Sequence, residues 1–175
     1  TDSRKGDFFL LGEVIHGDYG RWLAPGMLHS VTNYRLHKAL YSGHNDHNYF
    51  EIAHTVRETS RWKLYNFVDN HDVARIASKL TAKSNFLPVH VLLYTLPGIP
   101  SLYYGSEFGI EGKKERWSDR NLRPELRLED FRGNDQAKLI AALGRLRGAL
   151  SELSYGDYEE RVLTNETYAF SRSLE

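Results

Sequence analysis

Two apolar runs of strand length stop abruptly at an acid: Phe8-Phe9-Leu10-Leu11-Gly12-Glu13 and Asn66-Phe67-Val68-Asp69-Asn70-His71-Asp72. The first, spanning 7–14, is continuously apolar and reads as a strand buried on both faces. Residues 27–34 hold a second short strand of mixed pattern. Tyr49, Ile52, Ala53 and Val56 then recur at the period of an amphipathic helix. Residues 64–69 predict a third strand, followed by helices over 73–80 and 86–96. Pro88 suits a first helical turn, and Pro97-Gly98 stops that helix. A fourth strand over 99–104 opens into a long polar loop, Gly105 to Arg132. Loops of that length are usually functional or disordered. A helix over 136–150 carries Leu139, Leu143, Leu146 and Leu150 on one face. Residues 161–164 and 167–171 read as two arms of a hairpin around Asn165-Glu166, the start of a separate β module.

Alternating strands and helices imply parallel strands covered by helices, with the chemistry at the C-terminal strand ends. Glu13, Asp72 and Tyr103-Tyr104-Gly105 all fall at such ends. Glu13 and Asp72 lie on strands separated by one other, so inward side chains could converge over one mouth.

Composition narrows the classes of function. The chain has 175 residues, room for one domain with a sizeable core. It balances 23 basic against 23 acidic residues, so nothing steers it toward nucleic acid or an anionic membrane. No apolar run approaches the length of a transmembrane helix. Residues 1–7 are polar and do not read as a signal peptide, which favours the cytoplasm slightly over export. Without cysteine there are no disulfides and no thiolate-bound zinc. The 11 Tyr, 8 Phe and 3 Trp are mostly core material, though some rings can face a groove and stack on sugars.

Each candidate residue also has a plain structural use. A carboxylate at the end of a buried strand is costly unless it is used or paired. Desolvation of Glu13 would suit a general acid; an Arg partner or a helix cap would account for it equally. Asp72 beside His71 can stabilise a developing cation, or can cap a helix starting at Val73. Gly105-Ser106-Glu107-Phe108-Gly109 has the wrong arrangement for a serine nucleophile. His44-Asn45-Asp46-His47 has metal-ligand residue types but no standard spacing, so no metal site is expected. Asn165-Glu166-Thr167 fits the glycosylation pattern, a match too frequent by chance to carry weight.

Phe67-Val68-Asp69-Asn70-His71-Asp72 resembles the signature closing the seventh barrel strand of glycoside hydrolase family 13, the α-amylase family. Residues 98–109, Gly-Ile-Pro-Ser-Leu-Tyr-Tyr-Gly-Ser-Glu-Phe-Gly, are similar to that family's eighth-strand motif. Leu11-Gly12-Glu13-Val14 fits its fifth-strand motif, and order and separations match. The resemblance implies a retaining α-glycosidase, with hydrolysis of α-1,4 links in α-glucan or maltooligosaccharide favoured. Alternatives are a transglycosidase or isomerase on the same scaffold, or a non-catalytic carbohydrate-binding relative. It makes Glu13 the general acid/base and Asp72 the transition-state stabiliser. His71 would bind the same sugar, with Asn70 and Tyr104 also lining the substrate site. Asp119 and Arg123 resemble, more loosely, a pair that clasps the next sugar. His16, Tyr19 and Trp22 follow the acid/base and would line the leaving-group side.

Retention needs a second carboxylate as nucleophile, about 5–5.5 Å from the acid/base. The family's nucleophile ends the fourth strand, upstream of Glu13, where residues 1–6 leave no room. A full barrel takes about 250 residues. The expected fold class is therefore α/β: the C-terminal half, strands 5–8, of a (β/α)8 TIM barrel over 1–152. Residues 153–175 would then be the first strands of a C-terminal β-sandwich domain. Such a chain alone would be inactive, and would pair as a homodimer of half barrels or with the missing N-terminal half. No cofactor is expected in this chain; calcium, common in the family, is bound largely by regions outside it.

Overall fold

The computed structural model of the protein describes residues 8–175. β1 (Leu11–Gly12) pairs in parallel with β2 (Ser30–Val31), and β3 (Tyr65–Phe67) pairs in parallel with β4 (Ile99–Ser101). A parallel bridge from Thr32 to Tyr65 joins the two pairs, so the strands run β1-β2-β3-β4. Parallel neighbours need crossovers, and helices supply two of the three. α1 (Tyr34–Asn45) and α2 (Tyr49–Thr59) link β2 to β3; α3 (Ile76–Lys79) and α4 (Phe86–Thr95) link β3 to β4. A loop with one 3-10 turn links β1 to β2.

The main core forms where these helices meet the sheet. Leu36 and Leu40 of α1, Ile52 and Val56 of α2 and Val89, Leu92 and Leu93 of α4 close around Val68, Ile76, Leu80 and Leu96. The sequence reading has no helix over 34–45, although Leu36, Ala39, Leu40 and Gly43 repeat with helical spacing. His37 and His44 also face inward and are buried, and two polar residues on the apolar face obscure the periodicity. Asn33 starts this helix: its side-chain oxygen accepts from the Leu36 N–H, satisfying one of the free amides of the first turn.

Several other expectations need correction. The part of the first run within the described residues is not buried on both faces: Phe8, Phe9 and Leu11 are exposed. β1 is an edge strand with β2 on one side, so its outer face lies open among the described residues. The third helix is a single turn and begins at Ile76, not at Val73. Asp72 therefore caps nothing; the buried Asp69 carboxylate accepts from the Ile76 N–H instead, at 2.8 Å. The fourth strand stops at Ser101, because the chain turns away to form short 3-10 segments. On α5 (Asp135–Ala149) the buried positions are Ile140 and Leu143, while Leu146 and Leu150 are exposed.

After α6 (Ser151–Tyr155) comes the hairpin, β5 (Asp157–Leu163) with β6 (Tyr168–Ser173), antiparallel with an irregularity between Glu160 and Val162. Its Tyr158, Tyr168 and Phe170 pack against the main core. Polar contacts hold it there too: Arg57 makes a forked pair with Glu160, and Arg172 donates to the Thr95 carbonyl. No helix among the described residues is long and apolar enough to cross a membrane.

Candidate active site

The C-terminal strand ends meet at a cavity of about 330 Å³ lined by Glu13, Thr32, Phe67, Asn70, His71 and Tyr103, among others. Glu13 follows β1 directly, and two bonds to Thr32 set its position. Thr32 N–H donates to the Gly12 carbonyl at 3.0 Å, and Val14 N–H donates to Thr32 Oγ1 at 3.0 Å. Glu13 is exposed rather than desolvated, because among the described residues β1 has a neighbour on one side only.

Tyr34 organises the mouth of this cavity, and the sequence reading missed it. Its hydroxyl donates to Glu13 Oε1 at 2.8 Å and accepts from Asn70 Nδ2 at 3.1 Å. Burial, then the nearby charges of Glu13 and Asp72, push its phenol up to about 12, against the opposing Asn70 bond. It therefore remains a proton donor at neutral pH. Its ring packs edge-on against Phe67, 4.9 Å between centroids. The backbone that carries it is locked below: Asn33 Nδ2 donates to Asn66 Oδ1 and Asn66 Nδ2 to the Pro97 carbonyl, all beneath the strand ends.

Asn70 does two jobs. Its Oδ1 accepts from the N–H groups of Asp72 and Val73, shaping the turn, while its amide holds Tyr34. His71 enters the cavity facing Tyr103, at 6.5 Å between ring centroids. Asp72 lines a neighbouring cavity of about 430 Å³ with His16, Tyr34 and Lys79. Glu13 and Asp72 therefore line two separate cavities rather than one common mouth; Tyr34, in the wall of the Asp72 cavity, bonds to Glu13 and Asn70 of the other.

The costly acid at the end of β3 is Asp69, not Asp72. It is 1% exposed, and burial pushes its carboxyl up. Bonds from Ser106 Oγ and the Ile76 N–H, with the Arg75 charge, offset that burial. Arg75 is itself fully buried, a second residue the sequence reading missed. Its guanidinium donates to the carbonyls of Tyr104 and Leu122, both at 2.7 Å, and to Ser106 Oγ. The same group lies 4.3 Å from the Tyr103 ring centroid, a cation–π contact beneath the cavity wall. One side chain so ties together the turn after β3 and two stretches of the loop after β4. Nothing in its spacing marked it, because a buried Arg is recognised only once its partners are known.

Tyr104 lies behind Tyr103, its hydroxyl donating to the Pro124 carbonyl at 3.0 Å, and does not line the Glu13 cavity. Tyr19 is a core residue with Val31 and Leu64, buried against Trp62, so it offers no surface to a leaving group. Asp119 and Arg123 lie on the loop after β4, 3.4 Å apart. Lys114 joins them to Asp72, donating to Asp72 Oδ1 at 2.9 Å and to Asp119 Oδ1 at 2.5 Å. The bond and charge of Lys114 hold the Asp72 carboxyl below the usual carboxylate range, helped by His71 and Arg123. Asp72 is therefore an anion at neutral pH. Of the sequence candidates for metal, His44 is buried against Tyr49, and Asn45 accepts from the Thr81 N–H.

Such a site, acids and an imidazole with tyrosines around an open cavity, suits a polyhydroxylated ligand. Comparison with known proteins points the same way. The family profile described as the α-amylase catalytic domain matches residues 1–141. The cyclomaltodextrin glucanotransferase of Bacillus sp. (strain 1-1) is 31% identical over 135 residues, 73% of this chain and 18% of that protein. The α-amylase of Saccharomycopsis fibuligera is 31% identical over 155 residues, 81% of this chain and 30% of that protein. The crystal structure of an Anoxybacillus α-amylase superposes with a TM-score of 0.81 at 25% identity, covering 99% of this chain and 40% of that one. The chain thus spans less than half the length of each of these relatives. Its parallel strands and helices match part of an amylase barrel, and the chain belongs to glycoside hydrolase family 13, the α-amylase family.

Proposed function

We propose that this chain contributes the general acid/base and the sugar-binding wall of a retaining α-glucan hydrolase acting on α-1,4 links. Glu13 protonates the departing glycosidic oxygen and later activates water. Asp72, an anion at neutral pH, stabilises the oxocarbenium-like transition state, and His71 and Asn70 bind the same sugar. Asp119 and Arg123 hold the next sugar. The observation that carries this reading is the cavity that Glu13 lines together with Asn70 and His71, with the Tyr34 hydroxyl tying Glu13 to Asn70 from the wall of the Asp72 cavity. It supports one cleft assembled from the ends of β1 and β3.

On this reading β1–β4 are strands 5–8 of the barrel, the hairpin opens a C-terminal β domain, and the nucleophile comes from outside the described residues. The 175-residue chain then shows no turnover of a nitrophenyl α-maltoside by itself. Within a polypeptide that supplies the nucleophile, Glu13→Gln lowers kcat by about 10²–10⁴-fold, the usual worth of a general acid. Turnover by the chain alone, or full activity after Glu13→Gln, would refute these assignments. A transglycosidase is the second reading, favoured by the likeness to a cyclomaltodextrin glucanotransferase. Products longer than the substrate at high maltose concentration would select it.

A further inference from the structure

The loop after β4 carries a cation whose placement the proposed reaction does not by itself require. Lys114 Nζ lies 2.9 Å from Asp72 Oδ1 and 2.5 Å from Asp119 Oδ1, and Arg123 reaches the other Asp119 oxygen at 3.4 Å. Two cations and two anions thus form one continuous, charge-neutral string.

Its base is fixed rather than floppy. Two residues before Lys114, Gly112 N–H donates to Ser78 Oγ and its carbonyl accepts from the Arg75 N–H, both at 2.8 Å. Gly112 also packs so close to the Asn121 carbonyl that a Cβ would stand 2.3 Å from its oxygen. A bond from Asn121 Nδ2 to Glu115 Oε1, at 2.6 Å, closes the loop on its far side. Lys114 is therefore held between two pinned points and aimed at Asp72.

Stability does not explain this arrangement. Lys114 and Asp72 are both exposed, and exposed ion pairs contribute little to folding. Geometry is where such a string has effect: two flexible carboxylates are kept at a set spacing, and ordering done beforehand is not lost when a ligand binds.

We propose that Lys114 is a positioning residue for the glucan site, holding Asp72 and Asp119 in the relative arrangement that adjacent sugar units meet. This deepens the α-glucan reading and rests on it. The charged groups around Asp72 are Lys114, Arg123 and His71 on one side. On the other, its cavity also holds His16, Tyr34, Arg35, Lys38 and Lys79. Arg35 and Lys38 pair with Glu58 and Glu51, so neither replaces Lys114 as the direct partner of Asp72.

The test compares wild type, Lys114→Met and Lys114→Arg by two readouts: the pH titration of the Asp72 side-chain carboxyl by NMR, and calorimetric affinity for maltoheptaose at pH 7. Lys114→Met raises the Asp72 midpoint and weakens maltoheptaose binding about tenfold, as expected for lost charge-assisted bonds. Lys114→Arg keeps the midpoint low and restores most of the affinity, and melting temperatures stay level in all three. An unmoved Asp72 midpoint in Lys114→Met overturns the proposal, as does a raised midpoint with unchanged affinity. If wild type binds no maltoheptaose while the midpoint still moves, the glucan reading itself has failed, and the positioning role falls with it.

Discussion

Arg75 shows how a single side chain can hold the walls of a site that it does not enter. Its guanidinium satisfies two carbonyls and a hydroxyl that would otherwise lie buried without donors. A buried charge is expensive to isolate, and removing it leaves those acceptors unpaired, along with the desolvated Asp69 behind Ser106. Arg75→Met should therefore lower unfolding stability by about 3–5 kcal/mol, read from the urea midpoint. A loss under about 1 kcal/mol, the level of an exposed pair, would show that water replaces the guanidinium. Tyr34 is the complementary case. It is half-buried, it touches the proposed acid directly, and its worth lies in the proton that burial and two carboxylates keep on its oxygen.

At the scale of elements, the site depends on where α1 begins. The Asn33 side chain caps that helix and reaches Asn66 of β3, while its own N–H donates to the Tyr65 carbonyl. Helix start, strand end and the Tyr34 hydroxyl are therefore one mechanical unit. Asn33→Ala should lower unfolding stability, and with it the melting temperature, by more than a simple cap loss of about 1 kcal/mol would, since the buried Asn66 amide oxygen also loses its donor. Asn33→Asp, which keeps the cap but not the amide donor, should fall between the two. Equal melting temperatures for wild type and Asn33→Ala would remove this account of how Tyr34 is placed. The turn into β4 has a similar rigidity: Gly98 takes a positive φ of 116°, and a Cβ there would meet the Leu64 carbonyl oxygen at 2.8 Å.

For the whole molecule, the buried histidines set a pH limit. Burial pushes His37 and His90 down to about 4, and lowers His44 from its ordinary value as well. Among the described residues the Nε2 atoms of His44 and His90 are buried without hydrogen-bond partners. The fold holds these rings neutral, whereas in the unfolded chain they take up a proton near pH 6.5. Their share of stability is complete above about pH 6.5 and is lost as pH falls toward about 4. The melting temperature should therefore drop steeply across that window, and His90→Leu should flatten the drop. A melting temperature level from pH 7 to 4.5 would mean that the core hydrates these rings. The hairpin belongs in the same picture, because its aromatic face closes part of that core.

Much of this protein was legible before any fold was known. Apolar runs ending at Glu13 and in Asn70-His71-Asp72 located the strand ends, since a strand must bury its side chains and the polar break marks where it surfaces. The Ile52, Ala53 and Val56 face and the Asn165-Glu166 turn were read correctly for the same local reason. What the sequence could not order was anything set by partners distant along the chain. Whether Asp69 or Asp72 capped a helix, whether Arg75 was exposed, and whether Tyr34 faced Glu13 all turned on contacts spanning 7 to 47 positions. α1 stayed hidden because His37 and His44 interrupt its apolar face, and only packing reveals that a histidine lies inside. Periodicity reports which side of an element is dry. It is tertiary packing that decides which charges meet there, because Coulomb and hydrogen-bond energies depend on distances between chain segments that no local pattern encodes.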